Sequence, residues 1–512
     1  MARFAITLGD APLDLDMLDA CLSQPLNVNL ADAGLARAER ARGWVDRLVE
    51  RGDAVYGINT GFGHLKNKRI SSDQLEQLQE NLLISHACGV GAQTPRDVVR
   101  WMLLFKTHML LLGHSGVRVE VIRRLAEWIN ADLIPVVPSR GSLGASGDLA
   151  PLAHMCLPLI GRGSMQAPGS DAIRPAAELL REHKLQPMSL AAKEGLALTN
   201  GTQFMASYAA HIAVRSRRLA DLADLSTCMS LEALRGSVGP ADQRLHELRP
   251  HPGAQTVAAN IRAHMADSEV LASHEHCDKV QDPYSLRCAP QVHGAFRDAL
   301  DHFTQVLSRE INSVTDNPIL FGDDAGSAQA ISGGNFHGEP LALILDYLAM
   351  ALTDLASIAE RRIYLLLSGS DGLPTLLMRD TGVNSGFMLP QYTAAALVNE
   401  CKVLASPACT DSIPTSLGQE DHVSMGATSA LKCYEILDRS ETVAAIELMC
   451  AAQAMDYRDP LEPGIGPRRA REVVRKEIPH AEHDRQFGED IERALKLLRG
   501  SEELRRVARH EY

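Results

Sequence analysis

The sequence predicts a mainly α protein, a long-helix bundle core joined to a mixed N-terminal region, and three observations lead there. Apolar residues recur at helical spacing over long segments, capping residues, prolines and glycines bound those segments, and no alternating apolar run is long enough for a substantial sheet. Taken in order, helices are expected over about 31–51, 71–87, 94–113, 117–131, 201–236, 295–313, 339–368, 389–406 and 425–456. In the third, Thr94-Pro95-Arg96-Asp97 supplies a capping residue, a proline at the first helical position and a carboxylate in the first turn, and Gly113 closes the segment. The most apolar stretch, Leu341 to Leu367, is interrupted by Asp346, Asp354, Glu360, Arg361 and Arg362, which marks a buried core helix and not a membrane span. At 512 residues the chain exceeds one ordinary core. Soft boundaries near 205 and 458 give three expected regions: 1–205, mixed; 206–458, long helices; and 459–512, a charged helical tail that follows the break at Asp459-Pro460.

Composition narrows the partners. A 45% apolar and 22% charged chain with a formal charge of -13 fits a globular protein that binds neither nucleic acid nor an anionic membrane, so a small molecule is the expected partner. Ten cysteines without a Cys-x-x-Cys pair, and no recognisable signal peptide, point to a reducing cytoplasm. His274-Glu275-His276-Cys277 lacks the usual ligand spacing, so no metal is expected.

Gly-, Asn- and Pro-rich loops separate the helices and hold nearly all the distinctive motifs, as is usual for chemistry mounted on a rigid frame. Gly144-Ala145-Ser146-Gly147-Asp148 is the most telling. If the Gly147 nitrogen closes onto the Ala145 carbonyl and Ser146 loses its hydroxyl, the backbone becomes a methylidene-imidazolone with an electron-poor methylidene carbon. Glycine offers an unshielded nitrogen and a free backbone, alanine is small, and serine carries the hydroxyl that leaves. By itself Ala-Ser-Gly equally fits a turn with a helix N-cap. The following Asp148-Leu149-Ala150-Pro151 reads as a helix start, so the tripeptide is expected at a helix N-terminus, whose dipole favours negative charge.

Further motifs run through most of the chain. Tyr56-Gly57-Ile58-Asn59-Thr60-Gly61-Phe62-Gly63, Ser85-His86-Ala87-Cys88-Gly89 and Gly141 to Pro151 come first. Asn200-Gly201-Thr202-Gln203, Gln281 to Cys288, Gly334-Asn335-Phe336-His337-Gly338 and Gln419-Glu420-Asp421-His422 follow in order. Together they resemble the aromatic amino acid ammonia-lyase family of the methylidene-imidazolone type, from about residue 50 to about 430, with its histidine-selective members nearest.

The resemblance implies a self-formed electrophile at Ala145, Ser146 and Gly147, no metal, and a homotetramer with shared active sites. It implies that Tyr56 takes the β-proton, which requires its hydroxyl, ordinarily near pKa ~10, to be pushed down. Arg287 becomes the clamp for the substrate carboxylate, Tyr284 a hydrogen-bonding partner near the ring or amine, Asn200 and Gln281 holders of polar atoms, and Phe336 a pocket wall. His86 and Glu420 set the substrate, because a carboxylate facing a plain phenyl ring would be unpartnered whereas an imidazole N–H satisfies it. Glu420 is also placed for proton transfer.

The expected reaction is elimination of ammonia from L-histidine to give urocanate; an aminomutase or a lyase for another aromatic amino acid would use the same electrophile. Two readings of a different class compete with it. A helical scaffold could keep the fold without the ring, and a serine hydrolase could use Ser146 as nucleophile, although the chain lacks a Gly-x-Ser-x-Gly elbow there. Gly57, Gly61 and Gly63 lack a Walker lysine and read as a mobile lid. Leu417-Gly418, Ala289 and Val398 to Cys401 depart from the family's usual pattern beside the selective segment.

Overall fold

Helices form where the apolar stripes lie. In the computed structural model, which describes residues 3–512 apart from 23, 53–54, 56, 59, 61–69, 71–73, 277 and 324–326, helix Val119–Ala131 buries Ile122, Leu125, Ala126 and Ile129. That spacing turns one face of the helix to a core. Asp32–Arg51 buries Ala38, Ala41, Trp44, Val45 and Leu48 in the same way and ends on Gly52 at φ 71°, a left-handed cap that glycine supplies at low cost. The other long helices are Leu75–His86, Arg96–Leu111, Gln203–Ala233, Ala289–Glu310, Glu339–Leu367, Met388–Leu404 and Gly426–Met455. The mainly α class is therefore observed.

Two helix starts differ from expectation. Thr94 does not cap its helix: its N–H donates to Val137 O at 2.8 Å, Pro95 takes the cap position, and no side chain closes the first turn. The helix expected from 295 begins at Ala289, since Pro290 falls in the first turn, where its missing N–H costs nothing.

Contacts divide the chain into two compact units that interleave along it. One comprises Met1–His211, Thr304–Leu345 and Pro407–Leu431; the other Ile212–Phe303, Asp346–Ser406 and Lys432–Tyr512. Every described strand belongs to the first. Phe4–Leu8 pairs in parallel with Leu26–Leu30, while Val90–Gln93 with Pro138–Arg140 and Ile319–Gly322 with Ala328–Ile331 pair antiparallel. A three-stranded sheet runs Ile134–Pro135, Ser164–Gln166, Ile173–Pro175. All but the 319–331 pair fall in the expected mixed N-terminal region, that pair interrupting the stretch expected to hold long helices, and all are small enough to escape an alternation test.

The regular elements described in the second unit are helices, joined by loops, and buried charges tie these helices together. Arg362, fully buried, meets Glu447 through Nε–Oε1 at 2.5 Å and Nη2–Oε2 at 2.9 Å, and Ser230 donates to the same carboxylate at 2.9 Å. Asp224 accepts from Arg297 at 2.6 Å and pairs with His293 at 2.7 Å. Asp346, inside the most apolar helix, pairs with Lys432 at 3.0 Å. By length and composition Glu339–Leu367 could cross a membrane, but most of its apolar window is buried in the protein, and Asp346, Glu360 and Arg362 within it are paired with opposite charges, as a core helix requires.

Removing one half of a buried pair leaves an uncompensated charge, which costs about 3–5 kcal/mol. Arg362→Met should therefore melt markedly earlier than the parent, and the double variant Arg362→Met/Glu447→Leu should regain most of the loss; thermal denaturation of the two side by side checks this.

Candidate active site

Glycines without room for a side chain build the site in the first unit. Gly147 has φ 73°, and a Cβ there would strike the carbonyl of Gly201. The two residues form a parallel bridge, and Asp148 N donates to Gly201 O at 2.7 Å. Gly144, at φ 66°, packs against Ser424, whose hydroxyl donates to Gly144 O at 3.1 Å. Met425 N donates to Leu143 O at 2.8 Å and Gly338 N to Gly144 O at 3.4 Å. Loops 141–148, 200–202, 333–338 and 419–426 thus meet around Ala145-Ser146-Gly147.

Helix Leu149–Cys156 begins directly after Asp148, as expected, but the Asp148 side chain does not cap it. Its Oδ2 accepts from Met205 N at 3.0 Å, in the first turn of the helix Gln203–Ala233, and its Oδ1 from Ser142 Oγ at 3.0 Å. Two helix N-termini therefore meet at Asp148. Burial pushes the Asp148 carboxyl up to about 7, against those hydrogen bonds and the charge of Lys106. Lys106 is itself fully buried, donates to Asn200 O at 2.6 Å and Ala197 O at 3.1 Å, and burial lowers it to about 8.

Ser146 Oγ donates to Glu420 Oε1 at 3.0 Å. The other carboxylate oxygen accepts from Thr415 Oγ1 at 2.8 Å, and Thr415 and Glu420 also bridge through their main chains. Between them Ser416, Leu417 and Gly418 have φ of 51°, 53° and 83°, so the departures at 417–418 sit in a left-handed turn, with glycine where that conformation is cheapest. His86 ends its helix, with Nδ1 at 3.1 Å from Ser85 Oγ. Burial lowers its pKa and the nearby Glu420 charge opposes the shift.

Asn200 is buried, and its Oδ1 has no hydrogen-bond partner among the described residues. An orphaned amide oxygen beside the tripeptide suits a missing donor, because native structures rarely leave such an atom unpaired. Phe336 is half-buried in the loop that reaches Gly144 through Gly338.

The remaining expected site residues lie elsewhere. Gln281, Tyr284 and Arg287 gather in the second unit, on and before the turn Tyr284–Arg287. Tyr284 is 71% exposed, the Arg287 guanidinium stands 4.7 Å from its ring centroid, and Arg287 Nε is buried without a partner. Tyr56 falls outside the described residues, as do Gly61 and Gly63 of the expected lid. Lys106, Ser424, Thr415 and the inward role of the Asp148 side chain went unread; a lysine inside an otherwise apolar helix, Arg96–Leu111, was the available signal for the first.

The profile of the aromatic amino acid lyase family matches residues 13–476. The chain belongs to that family. A histidine ammonia-lyase of Gloeobacter violaceus is 50% identical over 495 residues, 96% of this chain and 95% of its own. Among solved structures, the histidine ammonia-lyase of Trypanosoma cruzi superposes with a TM-score of 0.91 at 40% identity, covering 99% of this chain and 96% of that one. A tyrosine aminomutase of Streptomyces globisporus does so at 0.91 and 34%, covering 99% of each. The resemblance carried by the loop motifs is borne out.

The Asp148 carboxyl allows a stability test. Its folded pKa, about 7, lies above the unfolded value of about 4, so between those values the folded chain keeps a proton that the unfolded chain releases. Stability conferred by Asp148 relative to Asp148→Asn should therefore be greatest below pH ~4 and fall as pH rises toward ~7, at up to ~1.4 kcal/mol per pH unit. Melting curves of both proteins across that range check the sign.

Proposed function

We propose that the protein eliminates ammonia from L-histidine to give urocanate, using a methylidene-imidazolone formed from Ala145, Ser146 and Gly147. The observation that carries this reading is the Glu420 carboxylate held beside Ser146, with His86 close enough to feel its charge. When formed, the group supplies an electron-poor carbon to capture the substrate amine, a role no unmodified side chain offers. The residues present fit it: Gly147 and Gly201 leave no space for a side chain, and Asn200 Oδ1 waits for a donor.

This chain's own groups would do the rest. Glu420 accepts the imidazole N–H, His86 flanks it, and Phe336 walls the ring. Arg287 binds the substrate carboxylate through its planar fork, and Tyr284 and Gln281 hold polar atoms near the amine. Tyr56 takes the β-proton, a task that needs a base within hydrogen-bond reach. No metal is required. Tyr284, Tyr347, Met350, Tyr364, Leu389 and Tyr392 are all exposed; a homotetramer with shared active sites would cover side chains of this kind. Nine described cysteines are free thiols, in keeping with a cytoplasmic protein.

Purified protein given histidine, phenylalanine or tyrosine should release ammonia and a conjugated acid from histidine alone. Activity confined to tyrosine would overturn the substrate, and a β-amino acid product in place of free ammonia would make the protein an aminomutase. Arg287→Lys, which keeps the charge and loses the fork, should raise KM about tenfold or more, since a bidentate charged bond is worth about 1.5–3 kcal/mol.

A further inference from the structure

We propose that Glu420 also acts in the making of the electrophile, as the acid that delivers a proton to the departing Ser146 hydroxyl. The inference rests on the self-formed group proposed above. Ser146 Oγ has one hydrogen-bond partner among the described residues, Glu420 Oε1 at 3.0 Å, and that contact serves in either direction. A carboxylate accepts the hydroxyl proton; a carboxylic acid gives its own to Oγ.

Loss of the hydroxyl needs such a donor. Hydroxide is a poor leaving group, and a positioned acid typically contributes about 10²–10⁴-fold to a step of this kind. In the step, the Cα proton of Ser146 passes to solvent water and its electron pair becomes the second Cα–Cβ bond. The Cβ–Oγ bond breaks, and Oγ departs as water with the Glu420 proton. Solvent then returns a proton to Glu420, so the net change is one water lost and nothing oxidised or reduced.

Geometry favours Glu420 over its neighbours. Asp148, the other carboxyl at the loop, has both oxygens engaged by Met205 N and Ser142 Oγ. Thr415 Oγ1 holds Glu420 Oε2 at 2.8 Å, which fixes Oε1 on Ser146. Once the hydroxyl has gone, Oε1 loses that partner and is left for the substrate. One carboxyl would thus perform two tasks in succession, and the second cannot begin until the first is complete.

Intact mass of protein made by cell-free synthesis and quenched at intervals tests this without an activity assay. The parent chain should become two waters lighter than its sequence. Glu420→Gln and Glu420→Ala should retain the Ser146 hydroxyl, located by tandem mass spectrometry of the peptide spanning 141–148, with dehydration slowed about 100-fold in chains that melt as the parent does. Glu420→Gln keeps the side chain's shape and its bond from Thr415, so it carries the test alone should the alanine variant fail to fold. Dehydration of Glu420→Gln at the parental rate overturns the proposal and leaves the electrophile standing; a parent chain that loses no water overturns the electrophile itself.

Discussion

The approach of Gly147 to Gly201 is the constraint on which the site depends. Two chain segments more than fifty residues apart touch backbone to backbone, with Asp148 N on Gly201 O at 2.7 Å. No side chain fits at either position, and both glycines have positive φ. Close backbone approach removes the space in which Ala145-Ser146-Gly147 could relax into an ordinary turn. Ser424 and Gly338 close the other side through Gly144. On the Gly201 side the tripeptide is therefore bounded by main chain, which cannot swing aside as a side-chain tip would.

Holding a loop so tightly forces polar groups into the interior. Asp148 and Lys106 are both fully buried, as are Lys193 and Asp316, paired at 2.7 Å. Such pairs seldom add net stability, because desolvation offsets their attraction. Their value here is positional. Asp148 clamps the N-terminus of Gln203–Ala233 to the start of Leu149–Cys156, and Lys106 grips the carbonyls of Ala197 and Asn200, fixing the residue before Gly201.

Much of the fold was legible because helices announce themselves locally. Spacing and caps gave Asp32–Arg51 and Val119–Ala131 to within two residues, since their stripes are regular and their ends carry turn-forming residues. Thr94 misled because its environment is set by Val137, far along the chain. Strands of two to five residues are too short to show alternation, and the interleaving of the two units has no local signature at all. Site residues were legible as motifs, yet spacing could not show that Gln281, Tyr284 and Arg287 belong to a different unit from Ser146 and Glu420. Buried Lys106 and the inward face of Asp148 were hidden for a related reason: Lys106 donates to the carbonyls of Ala197 and Asn200, and Asp148 reaches Met205 N, main-chain atoms that every residue possesses.

If Glu420 receives the substrate ring as proposed, selectivity would follow from how that carboxylate is held. A carboxylate with one oxygen fixed by Thr415 and the other turned toward the tripeptide leaves one acceptor to be satisfied. Phenyl rings offer it nothing, so binding one would strand a charged group at a cost above the ~1–3 kcal/mol of a neutral orphan. Sites built to bond a substrate N–H reject analogues lacking it by about 10⁴-fold or more. The left-handed turn at Ser416 and Leu417 backs the carboxylate, so moving Glu420 would mean rebuilding two non-glycine residues at positive φ, a conformation that is costly unless its surroundings hold it. On that proposal, discrimination would reside in the stiffness of the loop behind the carboxylate as much as in the carboxylate itself.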